Sequence, residues 1–562
     1  MLSGAVSSFK DDEKVDVSNG SVLEIKLDRP VTERTQNNPF ENFDIGKFST
    51  EKKAGLNDIL KTIDKAGRDT RISGILLNLT SLSSGVASLK EIRTALQAFK
   101  KSSGKFIYSY SESYSQGAYY LASVADSVFL NPQGDLDFHG IGASLMFFKG
   151  TLEKLELEPE IIRHGKFKSA IEPFILDKMS KENREQTSVF IHSIWSDILS
   201  DISASRNQTV EALQTTADEL AARTPEMALE HHMVDRLCYY DELLSSIRKK
   251  TGQGEKDKVK FIDLNKYVKA FVKDGAFSRQ KIAVIYASGD IVSGKGSEDE
   301  IGSDVMAEAI RKARLDTTIK AIVLRVNSPG GSALASDVIW RETILAKAAK
   351  PFIVSMGDYA ASGGYYISCA ADTIVAQPNT ITGSIGVFGL MFNAEKMLKN
   401  KLGITFDTVK TGKLADIGST TRKMTAQEHD IIQGEVERVY DTFITHVSEG
   451  RKISKAQVDS LGQGRVWTGA DALRIGLVDV LGGIDVALKI AASKAKLTDY
   501  RIIALPEQKE FLEKLMEDLN TEASVYFSKK QFGESYEYFT GIQSLVKQNG
   551  IIARLPFTLT IR

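Results

Sequence analysis

Cysteine is scarce in this chain: two residues in 562, Cys238 and Cys369, which excludes a disulfide framework and a cysteine-rich zinc or iron–sulfur centre. Charge of one sign is missing too. The 72 Lys and Arg are balanced by 73 Asp and Glu, a formal net charge of −1, so no excess of cations is available to hold a polyanion and nucleic acid is not an expected partner. Long apolar runs are few. The N-terminal stretch 1–9 meets the charged run 10–14 too soon for a signal peptide or a membrane span. The longest uncharged stretch, 373–394, holds Gln377, Pro378, Asn379 and several glycines and serines, the composition of buried strand and loop. What the chain does have is apolar material. With 42% hydrophobic and 8% aromatic residues, it can build cores for about three or four domain-sized units at roughly 150 residues each.

The sequence repeats itself. Residues 119–126 (YYLASVAD) match 365–372 (YYISCAAD) at an offset of 246, which Pro132 and Pro378, and Gly140 and Gly386, also share. Asp235 in 233–237 (MVDRL) matches Asp479 in 477–481 (LVDVL) at an offset of 244. Several patches in one order at nearly one offset indicate two copies of one fold. Each copy opens on a strand-like run, 22–27 or 282–286, and continues with helical stretches alternating with short apolar runs such as 74–79 and 321–326. Such runs fit parallel strands buried on both faces, so an α/β fold of βα units is expected. The expected organisation is a flexible segment 1–20, a first repeat 21–250, a polar, Gly-containing linker 251–280, a second repeat 281–500, and an extension 501–562 with an amphipathic helix over 508–519.

A duplicated scaffold supplies its framework twice, whereas a single active site needs each catalytic group once, so the differences between copies are informative. In the second copy, 358–366 (DYAASGGYY) sets Ser362 between small residues at a helix start; the first copy has Gln116 there. The fold itself does not require that serine. Upstream, 327–332 (NSPGGS) follows a strand, and its glycines let backbone amides approach a ligand as an oxyanion hole requires; the first copy has 80–85 (TSLSSG) instead. The third difference runs the other way. Lys168, in 165–171 (GKFKSAI), faces Ala415 of the second copy. Taken singly, these are a helix-cap serine, a tight turn and a surface lysine. Together they divide a nucleophile and a base between two copies.

A serine hydroxyl needs a base within hydrogen-bond reach, and a neutral lysine amine serves where no histidine does. At an ordinary pKa near 10.4, only about one lysine in a thousand is neutral at pH 7.4, so the site must desolvate Lys168. Among the seven histidines, His139 and His164 lie in the copy without the serine, and the sequence pairs neither with a positioned carboxylate.

The stretches 358–367 (DYAASGGYYI), 382–386 (TGSIG) behind Pro378, 464–479 (GRVWTGADALRIGLVD) and 168–174 (KSAIEPF) resemble the signal peptide peptidase A family, also called protease IV, in its long duplicated form. The resemblance runs from about residue 20 to 500. It implies two tandem crotonase/Clp-protease-like repeats assembled into a ring, a homotetramer for duplicated chains, and a serine endopeptidase with a Ser/Lys dyad that needs no cofactor or metal. Residue by residue it implies Ser362 as nucleophile, Lys168 as general base, Ser384 as the serine that orients the amine, and the amides of Gly363 and of Gly330 or Gly331 as oxyanion donors. The aligned first-copy residue at Ser384 is Phe138. The implied substrates are hydrophobic peptides such as released signal peptides. The family's setting is the extracytoplasmic face of the cytoplasmic membrane, with an N-terminal anchor that is not seen here, so a soluble catalytic body is expected. The sequence leaves open whether Lys168 meets Ser362 of its own chain or of a neighbour. Two rival readings are an enoyl-CoA hydratase or isomerase, which expects a carboxylate at the site, and a peptide-binding scaffold without activity.

Overall fold

The computed structural model describes residues 15–28, 30–35, 55–80, 82, 84–272, 278–508 and 551–554. They fall into two compact units: one takes the described residues of 1–140 and 198–277, the other those of 141–197 and 278–559. This partition differs from the sequence repeats, because residues 141–197, which belong to the first copy by sequence, are part of the second unit.

The first unit is built on a six-stranded sheet in the order Arg236–Leu237, Ser127–Leu136, Phe106–Tyr114, Ile72–Asn78, Ser21–Ile25, Phe261–Asp263, parallel throughout. The second carries the same order around its central strands: Ile381–Gly383, Phe352–Ala361, Ile319–Ser328, Lys281–Ser288 and Arg501–Leu505. There the antiparallel Val466–Thr468 strand is added at the edge, and Thr373–Ala376 and Val480–Leu481 pair beside the main path. Central strands are apolar on both faces because helices cover both; Ile322, Val323 and Leu324 are all fully buried. The Phe261–Asp263 strand lies within the span read as linker, and Arg501–Leu505 within the span read as extension. Beyond Gln508, the expected amphipathic helix lies outside the described residues.

The residues that revealed the repeat do the same work twice. Tyr119 donates its hydroxyl proton to the Met233 carbonyl at 2.8 Å, and Tyr365 to the Leu477 carbonyl at 2.9 Å. The Asp126 carboxylate accepts from the Ile107 amide at 2.7 Å, and Asp372 from Phe352 at 2.9 Å. Asp235 accepts from the Val128 amide and Asp479 from Ile374, both at 2.7 Å, and each aspartate also holds an arginine, Arg206 or Arg451. Buried polar groups at chain crossings must be paired, which explains why these positions are alike in both copies.

A third sheet, within the second unit, builds the site. Its order is Glu300–Gly302, Asp290–Val292, Gly330–Ser332, Ile551–Arg554, Phe388–Asn393, Glu158–Arg163. The last strand comes from the first sequence copy and pairs antiparallel with Phe388–Asn393 over six residues, from Phe388 opposite Arg163 to Asn393 opposite Glu158. Five residues past the end of that strand comes Lys168. Replacing Tyr119 or Tyr365 with Phe leaves a buried carbonyl without its donor, so each is expected to cost about 1–3 kcal/mol. Thermal melts of the two variants, with a matching drop in each, check the equivalence.

Candidate functional site

Ser362 ends the Phe352–Ala361 strand and caps the Gly363–Ser368 helix with φ 56° and ψ −113°, a conformation that non-glycine residues rarely adopt and that is held only when the surroundings enforce it. Two backbone bonds hold it: its N–H donates to Gly383 at 2.8 Å, and its carbonyl accepts from the Tyr366 amide at 2.8 Å. The glycines that follow are required by close packing. A Cβ on Gly363 would fall 2.7 Å from the Ser336 hydroxyl, and one on Gly364 would fall 2.8 Å from the Ser328 carbonyl oxygen. The sharp turn thus presses the helix start against the end of the Ile319–Ser328 strand.

Ser384 directly follows the Ile381–Gly383 strand, whose Gly383 pairs with Ala361 in parallel register. The two serines therefore leave the ends of neighbouring strands side by side. Ser384 also has a positive φ, 51°, and its amide donates to the Arg465 carbonyl at 2.7 Å.

Lys168 completes the group. Its Nζ donates to Ser362 Oγ at 2.8 Å, to Ser384 Oγ at 3.1 Å and to the Ser384 carbonyl at 3.3 Å. The side chain is 1% exposed, its Nζ lies 5.9 Å from the centre of the Phe388 ring, and burial alone lowers its pKa from 10.5 to about 7. The cause is physical: an ammonium loses its hydration here, and no carboxylate repays it. An enoyl-CoA hydratase would need such a carboxylate; among the described residues none is hydrogen-bonded to Lys168 or Ser362.

Residues given no role from the sequence hold this lysine in place. The backbone around it is clamped by buried Gln186, which donates to the Phe167 carbonyl and the Ser169 hydroxyl, both at 3.1 Å, and accepts from the Val466 amide at 3.3 Å. Gly464, at φ +80°, has no space for a side chain: a Cβ would fall 2.6 Å from the Lys168 nitrogen and Cβ. Gly386 lines the aliphatic stem, its Cβ position being 3.4 Å from Lys168 Cδ. Gly464 and Gly386 stood inside recognisable motifs, but Gln186 is one polar residue on a helix full of them, and no signal distinguished it.

Gly330, Gly331 and Gly363 lie close together. A Cβ on Gly330 would lie 2.9 Å from the Gly363 nitrogen, and one on Gly363 would lie 3.2 Å from the Gly331 nitrogen. Gly330 and Gly331 have φ of +111° and +157°, and the Gly330 amide donates to Ser328 Oγ at 3.1 Å.

The corresponding place in the first unit is closed. Gln116 is buried, its carbonyl oxygen accepting from the His139 and Gly140 amides at 3.1 and 2.9 Å. Phe138 is buried against Tyr119. The two histidines of the first copy have carboxylate partners that the sequence did not indicate. His164 is 2.6 Å from Glu437 and His139 is 3.2 Å from Asp137, but both pairs reach the surface, and neither histidine is hydrogen-bonded to Ser362.

A buried amine bonded to a strained serine beside converging glycine amides is the equipment of a serine hydrolase. The model of peptidase family S49 matches residues 99–254 and 344–498, and the chain belongs to that family: it is a serine protease with two tandem family repeats. It is 40% identical to Protease 4 of Salmonella typhi over 83% of this chain and 76% of that protein. It is 35% identical to the "Putative signal peptide peptidase SppA" of Enterococcus faecium over 43% of this chain and 72% of that protein. Among solved structures, ClpP1 from Listeria monocytogenes aligns over 36% of this chain and 91% of that chain at 16% identity, with a TM-score of 0.23.

Gly464→Ala is expected to push Lys168 off Ser362 and to lower peptidase activity about 100-fold, the size of a misplacement of roughly 1 Å. Kinetics beside circular dichroism check that the loss exceeds any loss of folded protein.

Proposed function

We propose that the chain hydrolyses extended hydrophobic peptides, released signal peptides among them, through a Ser362–Lys168 dyad. The observation that carries the reading is the 2.8 Å bond between a fully buried lysine amine and Ser362 Oγ. Neutral Lys168 takes the Oγ proton as Oγ attacks the peptide carbonyl, and Ser384 orients the amine through its hydroxyl. The amides of Gly363 and Gly331 receive the oxyanion; the Gly330 amide is already donated to Ser328, which favours Gly331 as the upstream donor. Lysine then gives its proton to the leaving amine, an acyl-enzyme remains on Ser362, and water deprotonated by the same lysine releases the acid. A hydrophobic substrate fits the apolar cluster of Ala170, Ile171, Phe174, Phe388 and Leu390 beside the site, and the printed name of the Enterococcus relative fits a signal peptide.

Assembly belongs to the same proposal. Ile162 is 1% exposed in its strand against Phe388–Asn393, whereas Val409, its counterpart in the second copy, is 98% exposed and is accompanied by exposed Leu402, Ile404 and Phe406. A position buried in one repeat and bare in the other calls for a second copy of the chain, and head-to-tail contacts of this kind give a ring where the rotation between copies closes. The cell envelope is the proposed setting. Among the described residues, no helix is long and apolar enough to cross a membrane.

Ser362→Ala and Lys168→Met are each expected to reduce hydrolysis of a fluorogenic hydrophobic peptide about 10³-fold or more, with unchanged size-exclusion profiles. Near-normal turnover by Lys168→Met would place the base elsewhere. Because only the neutral amine accepts a proton, kcat/KM should rise with pH along a limb centred on about 7 and fall about tenfold per pH unit below it. The folded pKa lies below the unfolded value, so between about 7 and 10.5 the unfolded chain binds the extra proton and stability rises with pH. Chemical denaturation across that window should show the slope in the wild-type chain and its loss in Lys168→Met. Val409→Asp should yield a smaller species by light scattering if the exposed repeat face joins copies.

A further inference from the structure

The sheet beside Ser362 contains a strand of the chain's own that pairs with the glycines of the proposed oxyanion hole. Ile551–Arg554 runs antiparallel between Gly330–Ser332 and Phe388–Asn393. Gly330, Gly331 and Ser332 stand opposite Arg554, Ala553 and Ile552, and Phe388 and Gly389 stand opposite Ile552 and Ile551. A Cβ on Gly330 would fall on the Ala553 carbonyl oxygen and 2.9 Å from the Gly363 nitrogen, so that carbonyl adjoins the proposed oxyanion donors. A peptide added to sheet edges takes its affinity from main-chain bonds and its specificity from the pockets for its side chains. The side chains of this strand therefore report what the surrounding residues accept.

Ile552 is buried in the cluster of Ala170, Ile171, Phe174, Phe388 and Leu390, and Ala553 is buried completely. Arg554 is ion-paired, its Nη2 lying 3.0 Å from Asp290 Oδ2 with both side chains one-fifth exposed. Asp290 begins the Asp290–Val292 strand, whose Ile291 pairs with Gly331, and it stands opposite Glu300 of the next strand. Two carboxylates near one partly buried position favour a cation there and repel an anion.

We propose that Asp290 is a specificity residue of this protease, selecting a cationic substrate side chain at the place of Arg554, next to a small residue at that of Ala553 and an aliphatic one at that of Ile552. The proposal rests on the reading of Ser362 and Lys168 as a peptidase site.

Three quenched fluorogenic peptides that differ only in the residue after Ile-Ile-Ala, namely Arg, Gln or Glu, test it with the full chain and its Asp290→Asn and Asp290→Arg variants, the cut being located by mass spectrometry. The ratio of kcat/KM for two peptides on one enzyme does not depend on how much of it is occupied by its own strand, so the ratio reads selection alone. The wild-type chain is expected to prefer Arg over Glu about tenfold, the scale of a partly exposed ion pair together with the opposing repulsion. Asn should remove the preference and Arg reverse it, while all three enzymes cut the Gln peptide. An unchanged ratio in variants that still cut the Gln peptide overturns the role of Asp290 and leaves the peptidase reading intact. If the wild-type chain cuts other hydrophobic peptides but none of these three, the register taken from the Ile551–Arg554 strand is wrong. If it cuts no peptide at all, the peptidase reading falls as well.

Discussion

Everything at this site depends on the removal of water from one amine. In the proposed mechanism Lys168 serves as a base only while uncharged, and a lysine amine in water is charged at neutral pH. Among the described residues burial shifts that balance without a titrating neighbour, so the surrounding structure has to exclude solvent and supply uncharged hydrogen-bond partners. The hydroxyls of Ser362 and Ser384 and the Ser384 carbonyl do this. A carboxylate in the same place would hold the proton on the lysine and defeat the arrangement.

That requirement accounts for much of the local architecture. Gly464 and Gly386 let the lysine backbone and stem lie against the Val466–Thr468 side of the sheet, and Gln186 ties down both neighbours of Lys168, through the Phe167 carbonyl and the Ser169 hydroxyl. Ser362 is held by a positive φ at a turn whose next two residues cannot carry side chains. Strain is concentrated where geometry matters most, and the paired strands on either side keep it from relaxing. The protein is a serine protease of family S49, and its two copies differ at this place: the first-unit position corresponding to Ser362 is filled by Gln116, bonded to the loop after Phe138.

Much was legible in advance because it was written in local spacing. The offset of 246 between Tyr119 and Tyr365 reflects hydrogen bonds made twice, and alternating apolar runs gave the α/β class because strands buried on both faces cannot be polar. Ser362 and Lys168 stood out as residues present in only one copy, Ser384 came from the family resemblance, and the structure brings the three within hydrogen-bond distance. Gln186 and Asp290 were not legible. Each is one polar residue among many, and its meaning comes from a neighbour hundreds of positions away, Val466 for one and Arg554 for the other.

The sequence by itself determined the duplication, the strand–helix class and the identity of the asymmetric residues, since repetition, periodicity and substitution are properties of the chain order. Only the tertiary structure decided that the segment carrying Lys168 joins the compact unit of the second copy, that the amine loses its water there, and that Ile551–Arg554 lies along the glycine amides. The physical reason is that desolvation and strand pairing are set by what surrounds a residue in space, and the partners here come from parts of the chain that no local pattern connects.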